Sequence, residues 1–529
     1  MAEMYTNPII LCDYSDPDVI RAGDDYFLVA SSFNFTPGLP ILASKNLVDW
    51  TLVNYAAENV PLARYKFPQN AQGLWAPSFS YHKGIFYIIV ATPDEGIFLT
   101  QSDNVFGDWS PLRCIHEARG IIDPFLFWDS DGTARVIHAY AKSRCGFNSK
   151  IAMLKFDPEK GLCSGNDEII YDGTITQPTI EGPKVYKRGE FYYIFAPAGG
   201  VGDGWQTVLR SKNLKGPWEE RIVLEKGDTE INGPHQGALV QTPGGEDWFI
   251  HFQERGIFGR ITHLEPVVWN DDGWPLMGTS VKTGAMPGNP VTKFRSPSLK
   301  GNRRYRKNPL RQVRAFEDAA LEWQWSGNHN ESFAKASDTS MRDNESFKLK
   351  TQSVSNFFKN GFPVLWNTSN VLTQKVQYTN FYFKATLNVK DLPVGGRTGM
   401  IFMGDEYAAI AVERTSLGFD FVYLKSKNLD LTDETRDEIE ICRKQLPLTS
   451  DGQPIKMRLD FISFSAYSGA VQFSVRSKNL VRTTFSWKSD YFSADNAQWV
   501  GGRFGLFAVV KKGVEEKGSA LFTDVKVRH

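Results

Sequence analysis

Three acidic residues stand at breaks of the same kind: Asp16 directly before Pro17, Asp123 directly before Pro124, and Glu181 just before Gly182-Pro183. Each opens a stretch of apolar strand, Gly- or Asp-bearing turn and second apolar strand, as in "EGPKVYKRGEFYYIFA" from Glu181. Trp75 and His235 stand at the starts of two further stretches of this form. A single acid before a proline is ordinarily a turn cap; three in matching units point to one shared site. Carboxylates crowded into a cleft raise one another's pKa, so that one stays protonated as an acid while another stays ionised as a base. Beside a Trp that stacks on a sugar ring, such a pair is what hydrolysis of a glycosidic bond requires. One carboxyl protonates the leaving oxygen, and the other activates water or attacks directly.

The elements that must bring these residues together follow from the repeat. Pro17, Pro77, Pro124, Pro183 and Pro234 mark the five units and are separated by 60, 47, 59 and 51 residues. After each hairpin comes another strand pair, such as "ILASKNLVDWTLV" or "TVLRSKNLKGPWEERIV". Four strands per unit and five units predict a five-bladed β-propeller over about residues 5–280, because blades of this length close around a channel. The first strand of each blade lines that channel, so Asp16, Trp75, Asp123, Glu181 and His235 are expected at one end of it.

From 281 to 313 the texture turns to Pro, Gly and Lys/Arg, which reads as a linker or strap. Its cluster Arg303, Arg304, Arg306, Lys307, Arg311 and Arg314 is read as a solvated or interdomain face. Alternation then resumes without the propeller cadence, as in "FYFKATLNVKDL", and predicts a β-sandwich of jelly-roll or lectin type. The expected organisation is all-β: a catalytic propeller over 1–285, a linker over 286–313 and a sandwich over 314–529.

Composition narrows the partners. The chain of 529 residues has 60 basic and 60 acidic side chains, so no net field recommends nucleic acid or an anionic membrane. No run of eighteen apolar residues occurs, and the start lacks the pattern of a signal peptide. The expected location is cytoplasmic as given, or periplasmic or secreted if an export signal has been removed. Five widely spaced cysteines (Cys12, Cys114, Cys145, Cys163, Cys442) with no C-x-x-C pair suggest reduced thiols rather than a disulfide framework or a zinc site. Aromatic residues make up 13% of the chain, which suits β-strands and a sugar-stacking surface.

Several motifs in one order carry a family resemblance: "NPIILCDYSDPDVIRAGDDYFLVASSFNFTPGLPI", "GLWAPSFSYHKGIFYI", "IDPFLFW", "IEGPKVYKRGEFYYIFAPAGG", "GPHQGALV" and "FGRITHLEPVVW". With them the chain resembles glycoside hydrolase family 43, in particular its two-domain β-xylosidases and α-L-arabinofuranosidases, over nearly its whole length. The resemblance implies Asp16 as general base, Glu181 as general acid and Asp123 as the carboxylate that orients the acid and modulates its pKa. It implies an inverting reaction, hence roughly 6.5–9.5 Å between the two working carboxyls. Arg260 would contact a sugar hydroxyl or the carboxylates, and Phe33, Trp75 and, less directly, Phe35 would wall the terminal-sugar pocket. His235 would lie near a structural calcium or other ion in the channel, reached through water, and the chemistry would need no cofactor.

One departure concerns Ser15-Asp16-Pro17-Asp18-Val19, where Asp18 adds a second acid beside the expected base. The function implied is exo-acting release of single pentoses from xylo- or arabinoxylo-oligosaccharides, β-xylosidase first and α-L-arabinofuranosidase close behind. A non-catalytic carbohydrate-binding propeller is the rival reading, and a homo-oligomer is compatible with either. The sandwich is expected as a binding module or as a wall that closes one side of the cleft.

Overall fold

Each of the five units folds into a four-stranded antiparallel sheet whose strands neighbour one another in sequence order. The computed structural model describes residues 3–280, 286–299, 322–330, 332–335, 345–428, 436–447, 453–465, 467–478, 484–515 and 517–529. The innermost strands of the five blades are Asp18–Ala22, Trp75–His82, Ile121–Trp128, Lys184–Arg188 and His235–Gln241. The fourth blade shows the local logic. Lys184–Arg188 pairs with Phe191–Ala198 from Lys184↔Phe195 to Arg188↔Phe191, which leaves Gly189-Glu190 as a two-residue turn. Gly189 takes the positive φ of 60° that such a hairpin demands.

Blades pack face to face through alternating apolar residues. Val185, Ile194 and Leu209 of the fourth blade share a buried cluster with Phe125, Phe127 and Ile137 of the third. The ring closes at the first and fifth blades, where the buried Tyr5 donates its hydroxyl to Leu264 O at 2.7 Å. Asn7 donates to Leu264 O and Val291 O, and Ile10 bridges Thr262. Residues expected to begin a linker take part in this closure: Lys293–Arg295 pairs with Met4–Thr6, and Asn289 bridges Thr279. The run is held because it supplies the edge partner of the N-terminal strand. The basic cluster from Arg303 to Arg314 lies outside the described residues.

Asp18 and Lys184 meet inside the channel. Lys184 Nζ stands 3.3 Å from Asp18 Oδ2, which also accepts the Phe79 N–H at 2.7 Å, so three blades are tied at one buried point. Burial raises the Asp18 pKa and the Lys184 charge opposes it. Asp18 is thereby occupied as a structural anion. Removing its cation with Lys184→Met strands that charge, and chemical denaturation should show a loss of about 3–5 kcal/mol. The further change Asp18→Asn should recover most of it.

The distal domain is a sandwich of two antiparallel sheets. One runs in the order Gln324–Trp325, Val371–Lys375, Arg503–Val510, Gly396–Met403, Tyr407–Thr415, Gly418–Asn428, Arg436–Gln445. The other is built around Ser519–Arg528, Asn380–Asn388, Ile455–Ser463 and Gly469–Lys478. Their inner faces form a core that includes Phe383, Phe402, Leu459 and Leu506.

The sandwich docks on the propeller through backbone and side chains together; among the latter, Asn34 donates to Ser326 O at 2.7 Å and Asn328 to Val60 O at 2.7 Å. Thr36 and Trp325 exchange two N–H···O bonds of 3.0 and 2.7 Å, and Gly502 N donates to Ile257 O at 2.8 Å. Gly256 makes this approach possible, since a Cβ there would lie 2.2 Å from Tyr467 O.

Candidate active site

A left-handed residue begins every blade at the channel mouth: Asp16 (φ 53°), Ala76 (φ 42°), Asp123 (φ 55°), Gly182 (φ 58°) and Gln236 (φ 28°). Pro follows in the first four, at 17, 77, 124 and 183, and Gly237 in the fifth. Pairing to the second strand slips at this place in the second, third and fifth blades. Such a bulge re-aims its side chain, and positive φ at a non-Gly residue is a strain that tends to collect at functional sites.

The sequence-based alignment is corrected here. Asp16 and Asp123 are themselves the left-handed residues of their blades, whereas Trp75, Glu181 and His235 come one residue before theirs. Pro234 is not the counterpart of the other prolines; Gly237 is.

Asp16 is nearly buried and well held. Ser15 and Ser31 donate their hydroxyls to its Oδ2 at 2.8 and 2.6 Å, and Arg260 Nη1 approaches its Oδ1 at 3.2 Å. Ser31 in turn accepts the Ala76 N–H at 2.7 Å, which links the first two blades. Arg260 also reaches Ser15 Oγ at 2.9 Å and lies over the Phe252 ring at 4.7 Å.

Asp123 accepts the Gly182 N–H at 2.8 Å and the Gln236 amide at 2.5 Å. Burial pushes its pKa well above the ordinary carboxyl range, and the charges of Glu181 and Asp16 push it further, so the three carboxylates share one field. Gly182 is required for space as well as φ, since a Cβ there would lie 2.6 Å from Gln236 Cγ.

Glu181 differs in exposure. Its side chain is 28% accessible, against 8% for Asp16, so it is the carboxyl that an entering ligand meets. The buried His235 meets Glu181 Oε1 through Nε2 at 2.8 Å. A proton on Nε2 makes that nitrogen the donor to Glu181 and leaves Nδ1, which has no partner among the described residues, as a bare acceptor.

The aromatic residues divide. Trp75 stands against Trp499, with ring centroids 4.8 Å apart and planes at 85°, so a loop of the sandwich reaches the mouth of the propeller. Phe33, itself left-handed at φ 52°, is buried and bridges Leu74. Phe35 is placed otherwise: its ring packs against the Arg503 guanidinium at 4.0 Å, in the domain interface.

Sequence reasoning did not single out Ser15, Ser31, Gln236 or Trp499. The signal for Gln236 was its place after His235, one step before the glycine that replaces proline. Among the described residues no group of three or more His, Cys, Asp or Glu could hold a metal ion, and no helix is long and apolar enough to cross a membrane.

Comparison with known proteins bears on the family and the fold. The family model described as "Glycosyl hydrolases family 43" matches residues 5–275, and "Beta xylosidase C-terminal Concanavalin A-like domain" matches 314–528. A protein of Xylanibacter ruminicola that carries the provisional name beta-xylosidase is 40% identical over 331 residues, 62% of this chain and 59% of its own length. A protein of Bacteroides ovatus named "Non-reducing end alpha-L-arabinofuranosidase BoGH43B" is 32% identical over 297 residues, 52% of this chain and 53% of its own. The matches thus span little more than half the length of these curated relatives. The solved structure described as xylan beta-1,4-xylosidase from Bacillus halodurans aligns with a TM-score of 0.80 over 99% of this chain and 100% of the other. At 21% identity that likeness is one of fold.

Proposed function

The chain belongs to family 43 of the glycosyl hydrolases, and from that premise we propose that it is an inverting, exo-acting β-xylosidase that releases terminal xylose from short xylo-oligosaccharides. The observation that carries the reading is the pair Asp16 and Glu181, set in one field with Asp123 but in different surroundings. Asp16, fixed by two hydroxyls and Arg260, takes a proton from water as that water attacks the anomeric carbon. Glu181, the more exposed carboxyl and braced by His235, gives its proton to the departing glycosidic oxygen. The C–O bond to the leaving sugar breaks as the bond to water forms, and no covalent intermediate is needed.

Asp123 acts through Gly182 and on the field around Glu181 rather than on substrate. Trp499 against Trp75 supports exo action, because an aromatic wall at the mouth favours a chain end over an open groove.

A second reading, α-L-arabinofuranosidase, is favoured by the name of the Bacteroides ovatus relative. A calcium ion near His235 would have to be held through water, because the side chains that touch His235 supply too few oxygens to ligate it directly. Calcium takes six to eight oxygens, whereas His235 meets one carboxylate, from Glu181, and the Phe252 ring at 5.5 Å.

The test is hydrolysis of aryl β-D-xyloside and aryl α-L-arabinofuranoside by the purified protein, with proton NMR of the first-formed sugar. Faster release from the xyloside, with α-xylose appearing first, is expected. No turnover of any pentoside would sink the proposal, and β-xylose as first product would replace inversion with retention.

A further inference from the structure

We propose that Asp13 is a positioning residue of this site: its carboxylate ties the sandwich loop that carries Trp499 to the propeller strand that carries Arg260, and so sets the aromatic wall that Trp499 and Trp75 present to the sugar. The inference rests on the glycosidase reading above. Asp13 is buried, and each of its carboxylate oxygens has its own task. Oδ1 accepts the Arg260 N–H at 3.0 Å, and Oδ2 accepts the Gly501 N–H at 3.2 Å. The first donor belongs to the residue whose guanidinium holds Asp16, and the second lies two residues after Trp499. One anion therefore spans the two domains at the point where both supply the mouth.

The surroundings are built to that contact. Gly259, at φ 69°, would place a Cβ 2.5 Å from Asp13 Oδ1 and 2.6 Å from Gly501 N, so glycine there lets the three groups meet. Gly501 likewise would bring a Cβ within 2.8 Å of Gly259 N. Trp499 is itself left-handed, at φ 64°, a conformation that persists only when its neighbours fix it. On one side Ala497 and Val500 bridge each other; on the other stands the bond from Gly501 to Asp13.

The main chain of Asp13 shares the role. Its carbonyl accepts Lys375 Nζ of the sandwich, and the next residue donates its N–H to Arg260 O at 3.1 Å. Asparagine at position 13 supplies one acceptor where two N–H groups converge, and turns an amide N–H toward the other.

The experiment measures kcat and KM on 4-nitrophenyl β-D-xyloside, and the Kd of xylose from tryptophan fluorescence, for wild type, Asp13→Asn, Gly501→Ala, Trp499→Ala and the double variant of the first and third. Asp13→Asn should raise KM and Kd on the order of tenfold, the effect of one lost hydrogen bond to a charged group. Gly501→Ala, which keeps the Asp13 carboxylate and whose Cβ would press the loop off the Phe258-Gly259 backbone, should do the same.

On the Trp499→Ala background the Asp13 change should add no more than about twofold, because both act through one wall. Unchanged KM and Kd in Asp13→Asn, or an effect that multiplies in full on Trp499→Ala, overturns the proposal. If Asp13→Asn does not fold, Gly501→Ala decides by the same values. A wild type that binds xylose but cleaves no pentoside defeats the functional reading alone, and the Kd values then judge Asp13; a wild type that does neither overturns both.

Discussion

Glutamine in place of Glu181 lowers kcat/KM on xylobiose by about a thousandfold, the worth of a positioned general acid. On an aryl β-xyloside with a strongly acidic phenol the loss shrinks to about tenfold or less, because such a leaving group departs without a proton. Glutamine suits the test because its amide oxygen can keep the bond from His235 Nε2, so the side chain stays where Glu181 stands. The surrounding field also changes little in shape, since Asp123 remains anchored to the Gly182 N–H and the Gln236 amide. Paired steady-state assays on the two substrates read the result. Equal losses on both would remove Glu181 from the proton-donor role and leave it a binding residue.

What the sequence discloses about this site depends on how local each signal is. The blades were legible because a left-handed residue before proline, followed by paired apolar strands, is written within twenty residues and recurs. Asp16, Asp123 and Glu181 could be found for the same reason. The fifth blade misled by three positions: Pro234 sits close enough to imitate the pattern, while the left-handed residue is Gln236 and is followed by Gly237.

Contacts made only by folding left no such trace. Ser31 is an ordinary end-of-strand serine until the second blade sets Ala76 N against it. Trp499 reads as one aromatic residue among many until docking of the sandwich puts it on Trp75. Phe35 had the composition of a sugar wall, yet the guanidinium of Arg503 occupies its ring. The run from 286 to 295 had the texture of a linker because Pro287, Gly288 and Pro290 break its start, but Phe294 and its neighbours pair with the N-terminal strand.

Asparagine in place of Asp16 should lower kcat by about a thousandfold on xylobiose and on the activated aryl xyloside alike. Activation of water is needed whatever sugar or phenol departs, so the quality of the leaving group cannot rescue a missing base. Asp18 cannot take over, although it stands two residues away: it is buried, and its Oδ2 is engaged by Lys184 Nζ and the Phe79 N–H. The substitution keeps an oxygen for Ser15 and Ser31 but leaves Arg260 facing a neutral group, so KM should move far less than kcat. The two carboxyls are then told apart by one ratio, activity on the activated over the unactivated substrate. It rises sharply at position 181 and stays near the wild-type value at position 16. A rise at position 16 instead would exchange the roles of acid and base, and with them the face of the sugar from which water arrives.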